Sequence, residues 1–298
     1  MRAIEIQGLT KKYRDMYALQ DVSLSVEKGE IYGIVGKNGA GKTTMMKCIL
    51  GLIPDYGGNV KIMESSQLKT MRKKVGALLE DPGFFPYMTG YENLKYYATS
   101  MGLNHEKQHI EELLAMVQLE TAKNKKTGKY SMGMKQRLGL ALACMGDPEI
   151  LVLDEPINGI DPEGIVEIRN LFLDLAKKKG KTILISSHIL SELENVCDRF
   201  CILNEGKLVE EVDAKVNTKK VESIITLITD NNAKALEILR EAGLDARGEE
   251  KISIYGDVST ALVTKTFMDT EIEILEISKT KESLEDYYLH AIKGGTSC

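Results

Sequence analysis

A chain of 298 residues is long enough for one large domain and a smaller one. A net charge of −5 argues against a nucleic-acid partner, and the apolar runs are far shorter than the ~20 residues that cross a bilayer. The charged start MRAIEIQG does not fit a signal peptide, and five cysteines without CxxC spacing are typical of reduced cytosolic thiols.

The first third of the chain predicts short strands around one glycine-rich loop and a helix. Alternating and apolar segments predict strands at 3–7, 22–26, 31–35, 60–63 and 75–79. A helix is predicted over residues 42–52, directly after the loop, and Pro54 follows its end.

The middle of the chain changes from helical periodicity to alternating strands and helices. Helices are predicted at 91–101, 110–117 and 134–144, then at 164–178 and 189–196. Buried strands are predicted at 150–153, 182–186 and 200–203. This order predicts an α/β fold: a mostly parallel sheet flanked by helices, an antiparallel N-terminal β segment and a helical insertion at about 91–146.

A second domain is predicted over residues 216–298, after a first domain of residues 1–215. Its predicted strands are 221–229, 252–255 and 272–277, and its predicted helices are 232–242, 258–268 and 282–292. No catalytic cluster is visible in it, so we expect a small accessory α/β domain.

The glycine-rich loop GKNGAGKTT fits the phosphate-loop pattern of glycine, four residues, glycine, lysine and serine or threonine. Its glycines let backbone amides point at phosphates, Lys42 reaches the β- and γ-phosphates, and the Thr43 hydroxyl is suited to Mg²⁺. The predicted nucleotide-binding residues here are Gly36, Lys37, Asn38, Gly39, Ala40, Gly41, Lys42, Thr43 and Thr44. The alternative is a chance glycine-rich turn. A guanine-binding Asn-Lys-x-Asp is not found, which argues against a GTPase.

Two acids follow a predicted buried strand in ILVLDEP, residues 150–156. Asp154 at the carboxyl end of that strand is expected near the Mg²⁺ ion. Glu155 is expected to polarise the attacking water as general base. The alternative is an ordinary pair of acids in a strand-to-loop turn.

The ordered set of motifs resembles the ATP-binding subunit of ABC transporters over residues 1–215. The motifs are GKNGAGKT, YSMGMKQR, ILVLDEP, NGID and SSH; Gly36 lies 95 positions before Ser131, which lies 23 before Asp154. The resemblance implies a P-loop NTPase core that uses ATP and Mg²⁺. It also implies a homodimer or heterodimer of ATP-binding subunits, a separate membrane permease, and a peripheral location on the cytoplasmic face of the plasma membrane.

By this resemblance, YSMGMKQR is the signature motif that completes the site of an opposite subunit. The Ser131 hydroxyl and the Gly133 amide, at a helix N-terminus, are donors suited to a γ-phosphate. The usual family form is Leu-Ser-Gly-Gly-Gln, so Met132 and Met134 are departures from it. The alternative is that Ser131 only caps its helix.

Three further positions carry over from the family by resemblance. Asp161 in NGID is expected to contact the neighbouring subunit, and His188 in SSH to bridge to the γ-phosphate and act with Lys42 and Glu155 in catalysis. Tyr13 is expected to stack on adenine, unless it is an ordinary strand residue.

Glu80 stands where most relatives have glutamine, and is expected to approach the metal as a carboxylate. A glutamate here, with an SxGMKQR-like signature, is similar to the subset that handles bacitracin- and lantibiotic-like peptides. The alternative is that Glu80 is a solvated loop acid.

Adjacent aromatic residues follow Glu80 in a polar connection, at Phe84, Phe85 and Tyr87. We expect these rings to form the docking surface for a cytoplasmic helix of the permease. The alternative is that the rings fold under their own loop.

The motifs together predict an ATPase that drives a separate permease, and the subset resemblance favours export of, or resistance to, a peptide antibiotic. One alternative is a soluble ABC-type ATPase acting on ribosomes or DNA, a class that usually fuses two ATPase halves or carries a coiled coil. Others are a non-peptide cargo and a binding module that has lost hydrolysis. Intact Lys42, Asp154 and Glu155 argue against the last.

Overall fold

The computed structural model describes residues 1–79, 83–103, 107–214, 223–248, 250–256, 258–268 and 270–281. The chain divides into two compact units, Met1–Ala214 and Lys215–Cys298. Among the described residues, no helix combines the length and the apolar character needed to cross a bilayer.

The first unit contains nine strands and seven α-helices among its described residues. Its strands are β1 (Arg2–Tyr13), β2 (Met16–Glu27), β3 (Ile31–Val35), β4 (Gly57–Ile62), β5 (Val75–Leu78), β6 (Ile150–Leu153), β7 (Thr182–Ser187), β8 (Arg199–Asn204) and β9 (Lys207–Asp213). Its helices are α1 (Lys42–Leu50), α2 (Leu68–Met71), α3 (Gly90–Ser100), α4 (Lys107–Met116), α5 (Met132–Cys144), α6 (Pro162–Lys177) and α7 (Leu190–Glu194). Single 3₁₀ turns lie at Arg72–Lys74 and Thr127–Lys129.

These strands form two sheets. β1 pairs antiparallel with both β2 and β4, giving a three-stranded sheet of order β2-β1-β4. The larger sheet has the order β5-β6-β7-β3-β8-β9, in which the first five strands are parallel and β9 is an antiparallel edge. The observed sheets and the helical segment α3–α5 confirm the predicted α/β class with an antiparallel N-terminal β segment.

Strand order explains how the motifs reach one place. β3, β6 and β7 are neighbours in the parallel sheet and are buried at every residue, as their apolar sequences require. Parallel strands have their carboxyl ends at one edge of the sheet. The glycine-rich loop, the two acids and the SSH segment therefore all lie at that edge.

The main core fills the space between the two sheets and around α1. Its fully buried residues include Ile4, Ile6, Leu9, Leu19, Val22, Val26, Tyr32, Ile34, Met45, Met46, Ile49 and Ile62. Burial of each of these apolar side chains stabilises the folded protein by roughly 1.5–3 kcal/mol. The core therefore fixes α1, and the loop before it, against the sheet.

Some elements differ from the sequence prediction. β1 and β2 are 12 residues each, longer than predicted, because they pair with each other across a tight hairpin. β9 and α2 were not predicted: β9 has only one buried residue, and α2 has four residues. The predicted helix at 189–196 is a five-residue helix.

The second unit has its own sheet and core. Its described elements are β10 (Ser223–Thr229), α8 (Asn232–Glu241), β11 (Asp245–Arg247), β12 (Ile252–Tyr255), α9 (Thr260–Thr266) and β13 (Ile274–Lys281). The strand order β11-β12-β10-β13 is antiparallel throughout, which is the split βαβ arrangement of ferredoxin-like folds. Its core includes Ile225, Leu227, Leu239, Ile252, Ile254 and Val263. The helix predicted at 282–292 lies outside the described residues.

Candidate active site

The glycine-rich loop joins β3 to α1 and curls around the Lys42 ammonium. Gly41 precedes α1 with φ 108°, and a Cβ there would lie 2.4 Å from the Ala18 carbonyl oxygen, so only glycine fits. Lys42 is 6% exposed, and its Nζ donates to the Gly36 carbonyl at 2.6 Å and to the Lys37 carbonyl at 3.4 Å. The loop and helix start therefore have the arrangement that binds phosphates.

Thr43 and Asp154 form the candidate metal pair. Thr43 Oγ1 donates to Asp154 Oδ2 at 2.6 Å, and the Ser186 hydroxyl donates to Asp154 Oδ1. Asp154 is 4% exposed and follows β6 directly. A hydroxyl and a carboxylate are the hard oxygen ligands that Mg²⁺ takes beside phosphate and water, so these residues fit the ion.

Glu155 has an unusual backbone conformation, and its carboxylate faces the Lys42 ammonium and the His188 ring. Its φ is 47°, in the left-handed region that non-glycine residues rarely adopt. His188 Nδ1 donates to Glu155 Oε2 at 2.8 Å. Oε1 is buried and lies 3.2 Å from Lys42 Nζ as an ion pair, although no described residue gives it a hydrogen bond of good geometry. Among the described residues, Oε1 is therefore an acceptor that is still unused.

Side chains on two other elements fix the Glu155 backbone. Its N–H donates to Ser186 Oγ at 2.9 Å, and its carbonyl accepts from Gln136 Nε2 at 3.1 Å and from the Asn158 N–H at 3.2 Å. The sequence analysis gave Ser186 and Gln136 no role, although they lie in the SSH and YSMGMKQR motifs. A serine at the end of an otherwise apolar strand was the available signal, because buried polar groups are normally hydrogen-bonded.

Ser131 begins α5 as its N-cap. Its Oγ accepts from the Met134 N–H at 3.2 Å, which leaves the hydroxyl proton available for another acceptor. The Gly133 N–H lies in the first turn, where helix amides have no intrahelical partner. The capping role proposed as an alternative is therefore observed, and it is compatible with donation to a phosphate.

The turn at Ser131 packs against the NGID loop of the same chain. A Cβ on Gly159 would lie 2.9 Å from Met132 Cγ, and Gly133 lies beside Ile160. Met132 is nevertheless 65% exposed. Asp161 is exposed and begins α6 without a side-chain capping bond. Ser131, Gly133 and Asp161 thus belong to one accessible surface of the first unit.

Tyr13 ends β1 and is 47% exposed. The Lys11 ammonium lies 5.1 Å from its ring centroid. An exposed ring at a strand end is able to stack on a base, and the cation covers one of its faces. Glu80, which was predicted to approach the metal, lies outside the described residues.

The aromatic loop surface consists of Phe84, Phe85 and Tyr87 with Tyr96 and Tyr97 of α3. Phe85 meets Tyr96 edge-on at 4.8 Å between centroids, and Phe84 meets Tyr97 at 6.2 Å. Both phenylalanines are half-buried, whereas Tyr87 is 64% exposed.

Hydrogen bonds fix this loop to buried residues of the helical segment. Asn93, which is fully buried, accepts from the Phe85 N–H at 2.9 Å, and Thr127 Oγ1 donates to the Phe85 carbonyl at 2.8 Å. The surface is therefore ordered, partly folded under its own loop and partly accessible.

Comparison with known proteins finds the family that the motifs resemble, and the similarity extends over almost the whole chain. The family model for "ABC transporter" matches residues 19–158. The chain is 39% identical to the bacitracin transport ATP-binding protein BcrA of Bacillus licheniformis over 98% of each chain. It is 36% identical to the lantibiotic transport ATP-binding protein SrtF of Streptococcus pyogenes, over 73% of this chain and 95% of that protein.

Solved structures give a consistent result for the fold. A dimeric post-hydrolysis structure of the ATP-binding cassette MJ0796 with ADP and Pi matches with a TM-score of 0.65 and 26% identity, over 71% of this chain and 98% of that one. The predicted resemblance and the P-loop NTPase fold are thereby confirmed, and the alternative of a soluble ATPase acting on ribosomes or DNA is not favoured.

Proposed function

Because the chain belongs to the ABC transporter family, we propose that it powers a separate membrane permease that exports, or gives resistance to, a peptide antibiotic. The chain is an ATP-binding and ATP-hydrolysing subunit. The observation that supports the peptide cargo is the 39% identity to a bacitracin transport protein over 98% of both chains, a match that includes the second unit. We place the chain on the cytoplasmic face of the membrane through its permease.

We assign phosphate and metal binding to residues around α1. Lys42 binds the β- and γ-phosphates, and Thr43 and Asp154 hold Mg²⁺, which neutralises phosphate charge when bound. In the structure, Lys42 Nζ lies 2.6 Å from the Gly36 carbonyl and 3.2 Å from Glu155 Oε1. Phosphate oxygens compete for this ammonium, so ATP binding frees Glu155 Oε1.

The freed Oε1 of Glu155 then accepts a proton from the attacking water. His188 keeps the carboxylate oriented because its Nδ1 binds Oε2 at 2.8 Å, which leaves its Nε2 for the γ-phosphate. The single observation that carries this assignment is a buried carboxylate oxygen, beside the phosphate-binding lysine, that no described residue gives a well-formed hydrogen bond.

We infer that two ATP-binding subunits share each site. Ser131 and Gly133 on one subunit donate to the γ-phosphate held by the loop of the other, and Asp161 contacts that partner. The accessible surface formed by these residues supports the arrangement, because no described residue accepts from the Ser131 hydroxyl or the Gly133 N–H. The oligomeric state of the purified chain in the presence of ATP tests whether the two subunits are copies of this chain.

Glu155→Gln tests the catalytic assignment. We expect ATP turnover to fall roughly 10²–10⁴-fold with ATP still bound, because an amide cannot take the proton from water. Glu149→Gln is the matched control, since Glu149 forms a surface ion pair with Lys74 at 2.8 Å. Full activity of the Glu155 variant would remove this residue from the mechanism.

The aromatic loop surface is the proposed docking site for a cytoplasmic helix of the permease. Half-buried phenylalanines fixed in an ordered loop, next to the exposed Tyr87, support this role. Replacing Phe84 and Phe85 by serine is expected to release the permease and leave ATP binding intact. Tyr17→Ser, at an exposed tyrosine of β2, is the control. Unchanged co-purification with the permease contradicts the assignment.

Antibiotic susceptibility tests the cargo. A strain that lacks this chain and is complemented with the wild-type protein should tolerate more bacitracin or lantibiotic than one complemented with the Glu155→Gln variant. Equal susceptibility to all tested peptides would exclude this cargo while leaving the ATPase assignment untouched.

A further inference from the structure

The Glu155 backbone is held against two separate preferences. It has φ 47° without being glycine, and it precedes Pro156, which disfavours helical conformations at the residue before it. Such a conformation persists only where the surroundings impose it. The surroundings here are the Ser186 hydroxyl on its N–H and two donors on its carbonyl.

The two donors on that carbonyl have different origins. The Asn158 N–H belongs to the same turn and closes it at 3.2 Å, so it moves with Glu155. Gln136 belongs to α5, and its Nε2 reaches the carbonyl from outside the turn at 3.1 Å. Gln136 is 9% exposed, at a position where an apolar side chain would otherwise serve packing. Its amide therefore fixes the turn relative to a helix.

That helix begins at Ser131 and is tightly packed on the sheet at its other end. A Cβ on Gly76 of β5 would lie 1.9 Å from the Ala143 carbonyl oxygen of α5, so helix and strand are in direct backbone contact. Gln136 lies five positions after Ser131, less than two helical turns away. A force on the N-terminus of α5 consequently reaches Glu155 through the Gln136 side chain, in addition to the contacts of Met132 and Gly133 with the NGID loop.

We propose that Gln136 is a positioning residue that couples the Ser131 turn to the Glu155 carboxylate of the same chain. The proposal rests on the proposed function, in which Ser131 binds the nucleotide of the opposite site and Glu155 is the base of its own site. Contact between Ser131 and the partner's γ-phosphate then adjusts, through α5 and Gln136, the base that acts on the chain's own nucleotide.

Gln136→Met tests the proposal in the full-length chain, because methionine has similar length and no donor. We expect kcat for ATP hydrolysis to fall about 5–20-fold with KM for ATP changed less than twofold. A loss of packing alone would instead lower stability and affect both constants. Gln67→Met, at an exposed glutamine whose side chain makes no capping bond, should leave both constants unchanged.

A double-mutant cycle with Glu155→Gln separates positioning from other effects. With the base removed, Gln136→Met should slow the residual hydrolysis less than twofold. Fully multiplicative losses, or a wild-type kcat in Gln136→Met alone, would overturn the proposal. If Gln136→Met does not fold, Gln136→Leu, which also has no donor, is put through the same cycle.

This cycle also distinguishes failure of the proposed function from failure of the coupling. Failure of the proposed function appears as full activity in the Glu155→Gln single variant. Failure of the coupling appears as a normal rate in the Gln136 variant while the Glu155 variant is inactive.

Discussion

Replacing Lys42 with methionine is expected to destabilise the first unit even without nucleotide. The change leaves the Gly36 carbonyl and Glu155 Oε1 without their cation, 2.6 Å and 3.2 Å from the lost nitrogen. Breaking a fully buried ion pair costs about 3–5 kcal/mol, but the Glu155 side chain is 23% exposed and keeps its bond to His188. We therefore expect the free energy of unfolding to fall by about 2 kcal/mol, nearer the cost of one unsatisfied buried acceptor.

That loss corresponds to a decrease of roughly 4–8 °C in the melting temperature of a unit of this size. Thermal unfolding of the full chain in nucleotide-free buffer measures it, and Lys178→Met, which removes an exposed i,i+4 ion pair, should change stability by less than about 0.5 kcal/mol.

A double-mutant cycle identifies the source of the Lys42 effect. Glu155→Gln removes the charge that Lys42 neutralises, so the cost of Lys42→Met should shrink by about 1 kcal/mol in that background. Additive losses, or a variant as stable as the wild type, would refute the ion pair and with it the exchange of Lys42 from Glu155 to phosphate.

Three further predictions address packing, burial and orientation. Gly76→Ala should lower the free energy of unfolding by about 3 kcal/mol, because its Cβ would lie 1.9 Å from the Ala143 carbonyl; a denaturant titration within about 0.5 kcal/mol of wild type contradicts this contact. Burial raises the pKa of the Cys48 thiol to about 11 and that of Cys201 to about 12, so both should stay unmodified by a thiol reagent at pH 8 until the protein is denatured. Rapid modification of both thiols in the native protein would show that they are not buried. His188→Ala should reduce kcat about 10²-fold with little change in ATP affinity, since it removes the 2.8 Å bond that orients the catalytic carboxylate. Equal losses in kcat and ATP affinity would show that the contact of His188 with the γ-phosphate outweighs its bond to Glu155.

The parts of the site that chemistry restricts to few residue types were predictable from sequence. A phosphate-binding turn needs glycines, a lysine and a hydroxyl at fixed spacing, and the carboxylates must leave a buried strand at the edge where that turn lies. Continuous apolar runs such as β6 and β7 also predict buried strands. A parallel strand that is covered on both faces has apolar side chains on both, so its sequence does not alternate between polar and apolar residues.

Contacts between distant segments were not predictable in the same way. Gln136 and Glu155 are 19 positions apart, and the bond between them depends on how α5 packs against β5. The edge strand β9 was missed because it alternates charged residues with few apolar ones, and only pairing with β8 identifies it as a strand. The left-handed φ of Glu155 likewise has no signature in a sequence that reads Asp-Glu-Pro.

On the proposed roles, the bonding around Glu155 imposes an order on the ATPase cycle. While Lys42 lies 3.2 Å from Oε1, that oxygen is engaged in an ion pair. Phosphate oxygens compete for Lys42 and so free Oε1, and they also remove a cation that helps hold the side chain. The bond from His188 to Oε2 and the backbone bonds from Ser186 and Gln136 then hold the base in place. A signal carried by α5 therefore acts more strongly on the base after nucleotide has bound, which ties hydrolysis to the closed pair of subunits as well as to ATP binding.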